Sequence, residues 1–150
     1  MRAVIQRVSS AEVTADEGRR SGIGRGLLIL LGVAPGDGER ETAWMSRKIA
    51  ALRIFNDPDG KMNLSLTDTG GDALVVSQFT LYGDASRGNR PGFTGSAGFE
   101  DARPVYEAFV TAITGELGKP VKTGWYGAEM QVSLVNDGPV TLIIDSPQHS

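Results

Sequence analysis

With no cysteine and a single histidine in 150 residues, and a formal charge of −3, the chain has no disulfide, no thiolate nucleophile and no cysteine metal site. The histidine, His149, stands beside the C-terminus, which discounts both histidine-activated nucleophiles and histidine-held zinc. The acidic balance argues against non-specific binding to polyanions such as DNA, though not against a local basic patch.

No basic leader with an apolar stretch opens the chain, and no apolar run approaches the roughly 20 residues that span a bilayer, so a single cytoplasmic domain over residues 1–150 is expected. Residues 2–8 alternate loosely, Ala3 and Ile5 against Arg2 and Gln6, and residues 12–15 continue the pattern. A first strand and its bent continuation follow from this, with a turn at Asp16-Glu17-Gly18. Gly22, Gly24 and Gly26 superficially suggest a phosphate-cradling loop. The residues after them, Leu27-Leu28-Ile29-Leu30-Leu31, read as a buried strand rather than a helix start, so close strand packing is the better account of the glycines.

Pro35-Gly36-Asp37-Gly38 ends that strand. Residues 39–55 then predict a long helix, with Ala43, Trp44, Ile49, Leu52 and Phe55 at near-helical spacing and acids in the first turn. Arg47, Lys48 and Arg53 stand elsewhere on its surface, as a solvated face or an RNA-contacting one. Asn56-Asp57-Pro58-Asp59-Gly60 is turn chemistry without the terminal glutamate of a calcium loop. Leu64 and Leu66 predict a short edge segment.

Residues 73–81 are the centre of the chain. Ala73-Leu74-Val75-Val76 suits a strand covered on both faces, and Ser77, Gln78 and Thr80 put polar groups at its end. Such groups tie down a loop or floor a site, because leaving them buried and unpaired costs roughly 1–3 kcal/mol each. Residues 82–98 predict a long loop in which Arg87, Arg90 and Phe93 suit a phosphate and a stacked base. Residues 100–117 predict the second helix, with Pro104 tolerable only near its first turns. Strands are predicted over residues 121–123, 129–135 and 140–144, the last two separated by a break at Asn136-Asp137-Gly138-Pro139. Strands outnumber helices and cluster at both ends, which makes the fold class α+β.

Ala3-Val4-Ile5-Gln6-Arg7-Val8, Leu30-Leu31-Gly32-Val33, Arg53-Ile54-Phe55 and Gly60-Lys61-Met62-Asn63-Leu64 form a recognisable series. The two most specific pieces are Ser77-Gln78-Phe79-Thr80-Leu81 and Asn136-Asp137-Gly138-Pro139-Val140-Thr141. In this order and spacing they resemble the D-aminoacyl-tRNA deacylase (D-tyrosyl-tRNA deacylase) family over nearly the whole chain. Gly92 and Trp125-Tyr126 depart from that family's usual residues, beside the site.

The resemblance implies mostly antiparallel, barrel-like β-sheets flanked by two main helices. It also implies a homodimer that hydrolyses the ester between a D-amino acid and the 3′-terminal adenosine of tRNA, without cofactor or metal. In that picture a cis Gly138-Pro139 peptide enters the partner subunit's pocket and selects chirality through backbone atoms. Ser77, Gln78, Phe79 and Thr80 form the catalytic stretch. Main-chain N–H groups near Phe79 and Thr80 hold the ester carbonyl, and the substrate's 2′-hydroxyl assists attack by water. Thr80 shapes the pocket, with nucleophile as the alternative role. Met130 is placed near the adenine, and Arg90 and Phe93 against the substrate. The competing functions are a non-catalytic tRNA- or nucleotide-binding module, and a related deacylase for mischarged L-alanyl-tRNA. That branch differs where this chain has Ser77 and Val140.

Overall fold

The long first strand, β1 (Arg2–Thr14), buries Ala3, Ile5, Ala11 and Val13 in the alternation expected of a strand with one covered face. The alternation changes phase at residues 7–10, where the register against β8 (Gln131–Asp145) shifts twice. On its other edge β1 pairs antiparallel with β3 (Gly26–Gly32) along its first half and with β2 (Arg20–Ile23) along its second. β6 (Asp72–Ser77) runs parallel to β3, and β7 (Lys122–Thr123) parallel to β6. The order β2-β1-β3-β6-β7, with β8 on the outer edge of β1, makes a nearly closed, barrel-like mixed sheet. The computed structural model describes residues 1–148; His149, with the chemistry discounted for it, lies outside the described residues.

The apolar runs in β3 and β6 serve two faces, as expected of strands covered on both sides. Leu27, Ile29, Leu31, Ala73 and Val75 pack against Met45 and Ile49 of α1 (Glu39–Ala51) and Phe109 and Ile113 of α3 (Phe99–Leu117). Leu28, Leu74 and Val76 point the other way, to Val8, Val13 and Ile23, with Trp125, Met130 and Leu134 around them. Gly26 explains one of the early glycines: a Cβ there would lie 1.8 Å from the Asp72 carbonyl oxygen on the neighbouring strand.

Several boundaries differ from those expected. α1 stops at Ala51 rather than residue 55, because the chain turns extended at Leu52 and sends Ile54 and Phe55 into the core. Phe55 opens β4 (Phe55–Asn56), which pairs with β5 (Met62–Leu64) around Asp57, whose Oδ1 accepts from the Asp59 and Lys61 N–H groups. Leu66 begins a short helix, α2 (Leu66–Thr69), instead of an edge segment, since Ser65 and Asp68 form a reciprocal cap. β6 ends at Ser77, and Phe79–Tyr82 coils into a 3-10 turn. The break expected at residues 136–139 is absorbed within β8: the Asn136 Nδ2 donates to the carbonyls of Arg7 and Val140 at 2.9 and 3.0 Å, clamping the irregularity. Among the described residues no helix is long and apolar enough to cross a membrane.

Candidate active site

Where β6 ends, its polar residues open onto a cavity of about 560 Å³. Ser77, Gln78 and Phe79 form one wall; Ala97 and Phe99 form a second, and Tyr126 and Met130 a third. Each wall is fixed by backbone. The Gln78 N–H donates to the Leu31 carbonyl at 2.8 Å, prolonging the β3–β6 pairing by one residue, and the Ala97 N–H donates to the Val33 carbonyl at 2.9 Å. The Met130 sulfur accepts from the Trp125 N–H at 3.4 Å and lies 2.7 Å from where a Cβ on Gly124 would stand. A side chain at residue 124 would therefore make the Met130 thioether shift from this position.

Tyr126 organises the third wall. Its hydroxyl donates to the Phe99 carbonyl at 2.7 Å, and its ring lies 4.9 Å from that of Phe99 and 5.6 Å from that of Tyr106. Tyr106 in turn donates to the Val75 carbonyl at 3.0 Å. Burial raises the pKa of Tyr126 above the ordinary tyrosine value, so its hydroxyl stays a neutral donor. Tyr126 is also the only ionisable residue lining the cavity; no carboxylate, amine, guanidinium or imidazole faces it among the described residues. Nor do the described residues hold a cluster of acids and histidines able to ligate a metal.

Just past Gln78, at the Phe79 corner of the cavity, the main chain turns. The 3-10 turn makes its first internal bond at Leu81, whose N–H reaches the Gln78 carbonyl at 3.3 Å. The N–H groups of Phe79 and Thr80 precede it, at the turn position where donors have no intrahelical acceptor. Thr80 itself is not among the residues that line the cavity, and its hydroxyl accepts from the Gln78 side-chain amide. No base adjoins it.

At the rim, Phe79 meets Phe93 edge-on at 5.2 Å. The loop between them is not wholly irregular: Asp84 and Gly92 exchange N–H···O bonds of 2.7 and 2.9 Å, making a narrow hairpin with Arg87 and Arg90 at its exposed tip. The structure thus brings Ser77, Gln78, Phe79 and Met130 together, sets Phe93 at the rim and leaves Arg90 on the loop. Gly138 and Pro139 do not line this chain's own cavity. They sit on β8, where their peptide bond is cis and Gly138 has φ +130°.

Two contributors escaped the sequence reading. Tyr126 stood out only as a departure from the family's usual residue. Arg7 passed as part of an alternating strand, yet its guanidinium is buried: Nη1 donates to the Ile54 carbonyl at 2.7 Å and Nε to the Asp137 carbonyl at 3.1 Å. A lone arginine on the inward side of a strand was the available signal.

Comparison with known proteins fits this geometry. The family described as D-Tyr-tRNA(Tyr) deacylase matches residues 4–145. The chain is similar to the D-aminoacyl-tRNA deacylase of Chlorobium limicola, 70% identical over 148 residues that cover 99% of each chain. It is 59% identical to that of Chlorobaculum tepidum over 148 residues, again 99% of each. Among solved structures, the c-Myc DNA Unwinding Element Binding Protein superposes with a TM-score of 0.91 at 41% identity, over 99% of this chain and 100% of the other. A probable eukaryotic D-amino acid tRNA deacylase shares the fold, with a TM-score of 0.81 at 16% identity over 95% of this chain and 97% of the other.

Proposed function

Because this chain belongs to the D-Tyr-tRNA(Tyr) deacylase family, we propose that it hydrolyses the ester joining a D-amino acid to the 3′-terminal adenosine of tRNA in the cytoplasm. The observation that carries this reading is the cavity at the end of β6, lined by Ser77, Gln78 and Phe79 and without an ordinary acid or base. Such a site suits a reaction whose proton transfers are handled by the substrate.

Water attacks the ester carbonyl carbon and the 3′-oxygen of the ribose leaves. The neighbouring 2′-hydroxyl relays the proton from the water to that oxygen. The products are a free D-amino acid and tRNA with its 3′-hydroxyl restored. The Phe79 and Thr80 N–H groups hold the carbonyl oxygen as charge develops on it, a contribution of roughly 3–4 kcal/mol for a well-placed donor. Holding ester, water and hydroxyl together adds more. Met130 and Tyr126 receive the adenine. Arg90 and Phe93 meet the chain just before it, a cation for phosphate and a ring for stacking.

Chiral selection comes from Gly138 and Pro139 of a second copy. Their carbonyl oxygens stand on one side of the α-carbon, so an L side chain meets backbone and a D side chain does not. Glycine has no side chain to reject, so glycyl-tRNA is also accepted. Support for a second copy comes from β8. Its outer edge has no partner strand among the described residues, and Val132, Val135 and Ile143 are 37%, 57% and 69% exposed along it. An unpaired edge bearing apolar residues favours association.

The test is hydrolysis of D- and L-tyrosyl-tRNA under identical conditions. Preference for the D form by about a hundredfold is expected, in line with rejection by steric and unpaired polar contacts. Equal rates would refute chiral selection, and binding without turnover would favour the non-catalytic module.

A further inference from the structure

Away from the cavity, α1 carries a basic face that the proposed chemistry does not use. Arg40, Trp44, Arg47, Lys48 and Ala51 follow the spacing that keeps residues on one side of a helix, whereas the helix's acids, Glu39 and Glu41, fall in its first turn. Trp44, Arg47, Lys48, Leu52 and Arg53 line an open groove of about 380 Å³. Lys48 Nζ stands 5.4 Å from the centre of the Trp44 ring. Arg53 is held in place by Asn63, with Nε donating to its carbonyl at 3.1 Å and Nη2 to its side-chain oxygen. Among the described residues none of Arg40, Arg47, Lys48 and Arg53 forms an ion pair. Asp68 is near enough to Arg53 to feel its charge, so Arg47 and Lys48 are the cations left to a ligand.

We propose that this groove binds the phosphodiester backbone of the double-stranded part of tRNA, holding the body of the substrate while its 3′ end enters the cavity. The proposal rests on the tRNA reading above. A chain of net charge −3 repels a polyanion overall, so a tRNA-binding surface must be a local concentration of unpaired cations, and α1 supplies one. The groove is open rather than enclosed, which suits a backbone lying across it better than a small molecule sunk in it. Arg47 and Lys48 supply phosphate donors. The position also fits. α1 packs against α3, whose Phe99 and Ala102 line the cavity. α3 has 19 residues and so is about 28 Å long, which leaves both features within the span of one tRNA.

The test compares the Arg47→Ala/Lys48→Ala protein with the unaltered one on two substrates across a range of salt. One is full-length D-tyrosyl-tRNA and the other a D-tyrosyl ester on a short single-stranded oligonucleotide ending in CCA. Both positions are exposed on a helix, where alanine is well tolerated. The Arg47→Gln/Lys48→Gln protein guards against an unforeseen folding defect. On tRNA, kcat/KM should fall about tenfold through KM, and the log–log salt slope should flatten by about two. On the oligonucleotide the loss should stay under about twofold, since a short single strand has no duplex for the groove to hold. Equal losses on both substrates, or an unchanged rate and slope on tRNA, would overturn the proposal while leaving the deacylase reading intact. If the unaltered protein turns over neither substrate, that reading fails. Fluorescence anisotropy with uncharged tRNA then decides the groove alone: about tenfold weaker binding by the variant supports it, and equal binding overturns it.

Discussion

The Arg7 guanidinium donates to the carbonyl oxygens of Asp137 and Ile54 at 3.1 and 2.7 Å, tying the irregular middle of β8 to the chain leaving α1. The Asp137 carboxylate adds a contact of 3.4 Å from its half-exposed position. One buried cation therefore holds the segment that carries Gly138 and Pro139.

Arg7→Met should loosen that segment and leave two carbonyls without a partner. Each hydrogen bond to a charged group contributes about 1.5–3 kcal/mol, so losing two should lower the melting temperature by roughly 6–24 °C. kcat/KM on D-tyrosyl-tRNA should fall at least about tenfold, because a misplaced selecting element also misplaces the ester. Arg7→Lys should recover part of both. Calorimetry and deacylation kinetics on the three proteins check this.

Gly138→Ala tests the same segment from its other side. A Cβ there would stand 2.9 Å from both Arg7 Nη2 and Val140 Cγ2, at a φ of +130° that L residues rarely adopt. The backbone must shift, so discrimination between D- and L-tyrosyl-tRNA should narrow by about tenfold or more. Unchanged discrimination would place chiral selection elsewhere.

Gly26→Ala should damage the fold rather than the chemistry. Its Cβ would fall 1.8 Å from the Asp72 carbonyl oxygen, which is backbone and cannot swing away. Separating β3 from β6 should cost about 3 kcal/mol, the upper end for overpacking, and appear as a lower melting temperature in calorimetry.

Two pH dependences follow. With Tyr126 as the only ionisable residue lining the cavity among the described residues, and its pKa raised by burial, the kcat profile between about pH 5.5 and 8.5 should lack the bell shape of a protein acid–base pair. The buried tyrosines add a loss of stability in alkali. Burial pushes the Tyr82 and Tyr106 hydroxyls up from 10.0 to about 12. Over that interval the unfolded chain has lost protons that the folded one keeps, so their contribution to stability is intact below about pH 10 and declines toward about pH 12. Tyr106→Phe should make the decline shallower in denaturant titrations.

Much of this was legible in the sequence because local pattern and tertiary demand agreed. The apolar runs of β3 and β6 are buried on both faces, and Gly26 lies where strands crowd. The misreadings arose where they conflicted. Leu52 and Phe55 have helical spacing, but burying Phe55 and pairing it with Leu64 overrode it. Asn136-Asp137-Gly138-Pro139 has the composition of a turn, yet long-range bonds to Arg7 keep it within β8. The walls formed by Phe99 and Tyr126 were hidden for a related reason. Their contact spans 27 positions in sequence, a distance no periodicity reports.

The central claim is that backbone and substrate, not a protein nucleophile, carry the reaction. Its most direct test is the single-turnover rate of the Thr80→Ala protein on D-tyrosyl-tRNA. The substitution removes a hydroxyl that accepts from Gln78, on a residue not among those that line the cavity, while leaving the main-chain N–H groups in place. The rate should stay within about threefold of the unaltered protein; a loss of several powers of ten, as when a covalent catalyst loses its attacking atom, would contradict the account and make Thr80 the nucleophile.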